Sequence, residues 1–214
     1  MRRHIWLAAL LLMSSAASFP MKDYGGDQNT TPALLDRLQK VETSDRATEE
    51  LVQLSKLKSS TREALAAALP PIIAKGPTPP KVWHNAVKLA ATLKIRETIP
   101  ALMDWLNYFG SDFIVGGFGM GPTQYPAAWA LIQIGDPAVP ALAAVLAGPD
   151  HQTPRQADHR KEVSIEILQQ LGTPLARKAL EETLPHQTDA RIVQTIKQTL
   201  KCMPKTPPSS AVHH

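Results

Sequence analysis

A single cysteine, Cys202, stands in the 214 residues, and this excludes an intramolecular disulfide framework. Aromatic residues make up only 5%, so no large aromatic core can form. After the N-terminal stretch, no segment approaches the ~18 apolar residues that a membrane span needs. Charge of one sign barely prevails. The 23 basic and 19 acidic side chains leave +4, and the +2 that remains without the two arginines of the N-terminal stretch is too little to imply nucleic-acid binding. What is plentiful is proline, 19 residues against 11 glycines, although proline ordinarily interrupts helices. With 43% hydrophobic and 20% charged residues, global disorder is excluded too. The length suits one domain or a short repeat array.

Residues 1–18 have the layout of an export signal. Arg2 and Arg3 precede an apolar stretch over 5–13, and Ser14-Ser15-Ala16-Ala17-Ser18 supplies the small residues of a cleavage site. The apolar stretch is too short to span a bilayer, and the alternative is an uncleaved anchor. An exported protein, periplasmic or secreted, is the expectation. Cleavage would remove two arginines and leave 21 basic against 19 acidic side chains, a net charge of +2. Residues 19–30, with Gly25-Gly26, read as a flexible leader, and 203–214 as a disordered Pro/Ser-rich tail. Cys202 falls at the end of the last helical run, where a partly buried position is expected.

Between leader and tail, helical periodicity dominates. Thr31-Pro32 reads as a helix start, followed by Leu34, Leu35, Leu38 and Val41 on one face. A second helix from about Asp45 carries Leu51, Leu54 and Leu57. Ser60-Thr61-Arg62-Glu63 fits a capping box, and Pro70-Pro71 is expected to end or kink the helix it opens. Then the sequence repeats itself. Ile99-Pro100-Ala101-Leu102 returns as Val139-Pro140-Ala141-Leu142, and Leu131-Ile132-Gln133-Ile134-Gly135-Asp136-Pro137 returns as Leu168-Gln169-Gln170-Leu171-Gly172-Thr173-Pro174. A period of 37–40 with two helices per unit marks stacked repeats, because one pair cannot bury its own apolar face. Gly135, Asp136, Pro137, Gly172 and Pro174 are then turn residues. The apolar sets are Val82, Ala86, Ala90, Leu93, Ile99, Leu102, Met103 and Leu106 in one unit. Ala127, Ala130, Leu131, Ile134, Val139, Leu142 and Leu146 fill the next. Val163, Ile167, Leu171, Leu175, Ala179 and Leu184 fill the third, and Ile192, Val193, Ile196 and Leu200 line a last helix.

Over 130–142 the chain resembles the HEAT-like repeats of bacterial proteins, the type also found in phycobilisome bilin lyases. The resemblance extends over roughly 45–200 and is clearest over 123–148. The unit over 82–109 departs from it, since Lys94-Ile95-Arg96 replaces the Gly-Asp-Pro turn. The resemblance implies an all-α solenoid of about four helix pairs, of armadillo-like kind, over 31–202, whose concave surface binds other proteins. It does not imply lyase chemistry.

No catalytic set is evident, and neither a metal motif nor a cofactor motif. Gly-x-Ser-x-Gly is missing, and the histidines His84, His151, His159 and His186 stand apart as surface or helix-cap residues. The expectation is a non-catalytic scaffold or adaptor whose partner is another protein. The rival is a lyase-like or accessory action on a cofactor-bearing partner, with Cys202 as its only thiol. Two features suit partner binding. The insertion over 110–122 holds five glycines together with Phe113, Ile114, Val115, Phe118 and Met120. Beside it stand Trp83, Trp105, Tyr108, Phe109, Tyr125 and Trp129, of which Trp105 and Trp129 fall off the most apolar positions of their helices. Both sets could equally pack back as core. The basic residues Arg155, His159, Arg160, Lys161, Arg177 and Lys178 read as a solvated face with nearby glutamates, or as a patch for an acidic partner.

Overall fold

A computed structural model describes residues 30–110, 125–148 and 154–204. The expected signal and leader residues before Thr30, the tail from 205 on, and residues 111–124, which hold all of the insertion but Gly110, lie outside them. The described residues are helical throughout and hold no strand. Ten helices follow one another: α1 (Thr31–Leu38), α2 (Ser44–Leu57), α3 (Ser59–Ala74), α4 (Pro80–Thr92), α5 (Ile99–Asp104), α6 (Pro126–Ile134), α7 (Val139–Ala147), α8 (Pro154–Leu171), α9 (Pro174–Thr183) and α10 (Ala190–Cys202). Among the described residues no single helix is long and apolar enough to cross a membrane.

Packing follows chain order. In one layer α2 packs on α4, α4 on α6, α6 on α8 and α8 on α10. In the other α3 packs on α5, α5 on α7 and α7 on α9. The core lies between the layers, and the periodic residues fill it. Val82, Ala86, Ala90, Leu102 and Leu106 are buried, as are Ala127, Leu131, Leu142 and Leu146, and Val163, Ile167, Ile192 and Ile196. Alanines at 127, 128 and 130 are fully buried, so α6 can approach its neighbours closely.

Three turns reverse the chain within pairs, each through a positive φ. Gly135 has φ 89° and Gly172 has φ 61°. Lys94, where the repeat pattern lacks glycine, adopts φ 51° all the same. Its surroundings explain this. The Lys94 N–H donates to the Ala91 carbonyl (3.1 Å) and the Ile95 N–H to the Ala90 carbonyl (2.9 Å), the paired closure of a Schellman motif. Ile95 is buried, which holds the closure in place. The later turns are also joined to each other. The Thr173 hydroxyl donates to Asp136 Oδ1 at 2.7 Å across 37 residues and accepts from the Ala176 N–H as the cap of α9. Asp136 lies in the turn as expected; its side chain caps no backbone and serves this inter-turn bond.

Several expectations are corrected. The capping box at Ser60 does not form. The cap position of α3 is Lys58, and Thr61 is buried with its hydroxyl 2.9 Å from that of Thr31. Pro70 and Pro71 do not end α3, which runs on to Ala74. The lost N–H groups are offset there by burial of Ile72 and Ile73 and by the Trp83 indole, which donates to the Ile73 carbonyl at 2.9 Å. Leu175 is 44% exposed, because α9 buries Ala176, Ala179, Leu180 and Thr183, a stripe one residue out of step with it. Leu57 is exposed for a similar reason, since α2 buries Ser44, Ala47 and Leu51.

The turns make a prediction about backbone alone. A Cβ on Gly135 meets nothing within 4 Å, and one on Gly172 meets only an ordinary contact. Gly135 lies at ψ −147°, a region that glycine almost alone adopts, so Gly135→Ala should cost about 2–3 kcal/mol. Gly172→Ala should cost about 1 kcal/mol, and Lys94→Gly should stabilise by up to ~1 kcal/mol as strain is relieved. Denaturant midpoints of the three variants check the order.

Candidate functional site

The described part of the site is built where α5 ends and α6 begins, on both sides of residues 111–124. After Asp104 the chain leaves the helix at Trp105 and runs through Tyr108 to Phe109. It returns at Tyr125, whose extended backbone precedes Pro126 at the start of α6.

Two aromatic groups result. In the first, Trp83 is fully buried and meets Tyr108 edge-on at 5.2 Å and Trp105 at 6.3 Å between ring centroids. Trp105 and Tyr108 meet each other at 6.5 Å and 88°. Such edge-to-face contacts place a positive ring edge on a negative ring face. Trp105 is half-buried because its ring lies over Gly76, in the connection from α3 to α4. A Cβ there would fall 2.2 Å from a Trp105 ring carbon.

In the second group, Phe109 meets Tyr125 at 6.0 Å and 76°, closing the two ends of the insertion on each other. Phe109 remains 53% exposed. The Tyr125 hydroxyl shares a 3.1 Å hydrogen bond with His159 Nε2 on α8, and the two rings lie 5.5 Å apart. The far side of His159 faces Glu162, 3.9 Å from Nδ1, and Glu162 reaches Arg191 on α10 at 3.4 Å. Next to it, Arg160 donates to the Met103 carbonyl near the end of α5 (3.1 Å). Thus α8 is tied to α5 through Met103 and to the residue before α6 through Tyr125. Loss of solvent raises the Glu166 carboxyl above its ordinary value, Glu162 adds to this, and His159 opposes it.

Of the expected partner-binding residues, Trp105 joins the first group and Tyr125 the second. Trp129 is half-buried on α6, one turn after Tyr125. Phe113, Ile114, Phe118 and Met120 lie outside the described residues, as do His151 and the side chain of Arg155. His84, expected at the surface, is buried against Trp83 (5.6 Å) and Tyr108 (6.3 Å). The reason is that α4 is enclosed by α2, α3 and α6, so its polar positions are covered as well. Cys202, expected partly buried, is free and exposed. Arg177 belongs to no solvated patch. It donates to the Leu200 and Met203 carbonyls at 2.9 and 3.2 Å, closing the C-terminal end of α10, while Lys178 pairs with Glu182 on the surface. Sequence reasoning missed His159 and Arg160 as ties to the insertion. The only signal was their place in a charged run, which says nothing of partners 34 and 57 residues away.

Two predictions arise here. Gly76→Ala should destabilise by about 2–4 kcal/mol, from the clash and the positive φ together, and by at least ~1 kcal/mol less when Trp105 is already Leu. A thermodynamic cycle of the four proteins tests this. The second concerns pH. Because Glu166 keeps its proton to higher pH when folded, its ionisation costs stability. That contribution is complete below the unfolded value and is lost as pH rises through the folded one. Glu166→Gln should therefore be more stable than the parent at pH 7 and no different near pH 3, as read by urea unfolding at both values.

No family model matches the chain, and no curated protein or solved structure matches it.

Proposed function

We propose that this chain is an exported, non-catalytic α-solenoid of HEAT-like helix pairs that binds another protein at the base of its insertion. The solenoid reading is supported by the order of packing within each layer, by turns that repeat the same reversal, and by the Thr173–Asp136 bond across one 37-residue period. Export is supported by the layout of residues 1–18. A mature charge of +2 disfavours nucleic acid as the partner.

One observation carries the binding reading. Phe109 stands 53% exposed, yet its ring packs on Tyr125, which His159 in turn ties to α8. A large apolar ring that is both exposed and held in place loses little conformational entropy when a partner covers it. Trp129 and Tyr125 extend the patch along α6. In this reading the insertion's own apolar residues add to the contact.

A photoreactive phenylalanine analogue placed at 109 should cross-link a native envelope protein, whereas the same analogue at Lys197 should not. Phe109→Ala should weaken binding of that protein by roughly tenfold or more, with unchanged thermal stability. Equal cross-linking at both positions, or unchanged affinity, would refute this placement.

A further inference from the structure

One side of α7 is apolar and uncovered. Its residues, Val139–Ala147, include no polar side chain, yet Pro140, Ala144 and Ala147 are exposed. A helix that is apolar all round is ordinarily covered on every side. Here the uncovered side borders an open groove of about 470 Å³ between α7 and α9. Leu175, which α9 leaves 44% exposed, lines the groove near the start of that helix, and Lys178 and Glu182 follow it along the α9 edge.

The charges of this edge indicate what covers it. On α9 the adjacent pair Arg177–Glu181 is closed at 2.8 Å, whereas Lys178 and Glu182 lie 3.6 Å apart, beyond hydrogen-bond distance, and both are 67% exposed. A cation and an anion one helical turn apart match themselves when the helix is reversed. A two-fold axis passing across α9 at the level of Leu180, midway between them, sets Lys178 of one chain opposite Glu182 of the other, and the reverse. Equivalent places in these two units are 37 residues apart, so the same axis crosses α7 at Ala143. Ala143 and Ala144 are small enough for two copies of α7 to approach closely at that crossing. Other occupants fit less well. The α7 edge carries no charge and the charges of α9 cancel, so an acidic partner finds no field to follow. The lining holds no Trp, Tyr or Phe of the kind that seats a helix in a lipid interface.

We propose that a second copy of this chain covers the groove. In the dimer α7 and α9 pack antiparallel on their counterparts as a four-helix bundle, with Lys178 and Glu182 paired between chains. No residue of the Phe109 patch lines this groove, so the dimer does not rest on the binding reading given above. Helices of 9 and 10 residues present a face of about 15 by 20 Å, smaller than a standard interface, and the dimer is therefore weak and reversible.

The test is sedimentation velocity of the exported chain between micromolar and millimolar concentration, over which the parent should pass from monomer to dimer. Lys178→Glu leaves the edge with anions alone and Glu182→Lys with cations alone. Each variant by itself should dimerise about tenfold or more less tightly, because like charges then face each other. Mixing the two variants should restore the dimer, and so should the exchange Lys178→Glu/Glu182→Lys within one chain. Ala144→Arg, at an exposed position, should abolish the dimer with an unchanged melting temperature. A parent that stays monomeric at every concentration would overturn the proposal. So would a dimer that either single variant leaves intact, or single variants that stay monomeric when mixed. A monomeric parent that binds phosphatidylglycerol vesicles, and loses them in Ala144→Arg, would assign the face to lipid and equally overturn it.

Discussion

Three successive helix pairs, α4–α5, α6–α7 and α8–α9, turn through a residue with positive φ, and their arrangement depends on that reversal. Lys94, Gly135 and Gly172 occupy equivalent places, 41 and 37 residues apart. A helix that continued past any of these points would carry its apolar face away from the neighbour that buries it. The turn sets the direction of the second helix, and burial between layers then fixes its depth. Thr173 shows how closely the two are linked. One hydroxyl caps α9 and also bonds the preceding turn through Asp136, so the cap of one unit sets the register of two. At Lys94 the same reversal is reached without glycine, because the carbonyls of Ala90 and Ala91 are satisfied and Ile95 is drawn into the core.

The insertion is compatible with this regularity because its ends do not drift. Phe109 and Tyr125 meet, and His159 and Arg160, adjacent on α8, bond Tyr125 and the Met103 carbonyl of α5. The unit over 82–109 also differs in being the one where aromatic rings concentrate. Trp83, Trp105 and Tyr108 pack edge to face and fill the space that alanines leave narrow in the next unit. The Trp105 ring rests on Gly76, so the α3–α4 connection and the base of the insertion share one contact. A disturbance at either place is felt at the other.

How much of this was legible depended on the range of the interaction that decided it. Residues governed by their own helix were read well: the stripes Val82–Ala86–Ala90 and Ile192–Ile196, and the glycine reversals at Gly135 and Gly172. Residues governed by a distant partner were not. Pro70-Pro71 carries a strong local signal to stop, yet Trp83 and the burial of Ile72 and Ile73 hold a further turn in place. Periodicity marks one covered face, and α4, covered on more than one side, gave no sign that His84 would be buried. The candidate site was legible as an aromatic concentration beside a glycine-rich stretch. That α8 would anchor it was not, because a basic residue facing water and one donating to a carbonyl 57 residues away are the same letter in sequence.

The two ends of the described array are finished differently, and the difference follows from charge and cap placement. At the C-terminal end α10 starts on Asp189, which accepts from the Arg191 and Ile192 N–H groups, and these bonds hold its carboxyl below the ordinary value. It finishes on Arg177, which satisfies the carbonyls of Leu200 and Met203, and Met203 is buried beneath. Both sets of end groups are met from within the chain. At the other end, α1 and α2 are joined through Arg37–Glu50 at 2.9 Å, and α2 is joined to α4 through Asp45, which accepts from Lys81 and Asn85. These polar ties secure the N-terminal half of α2; among the described residues its C-terminal half, with Leu54 and Leu57, has no equivalent. The last described helix thus has its end groups met by side chains and the first two are joined by ion pairs between helices, two different ways of securing short helices.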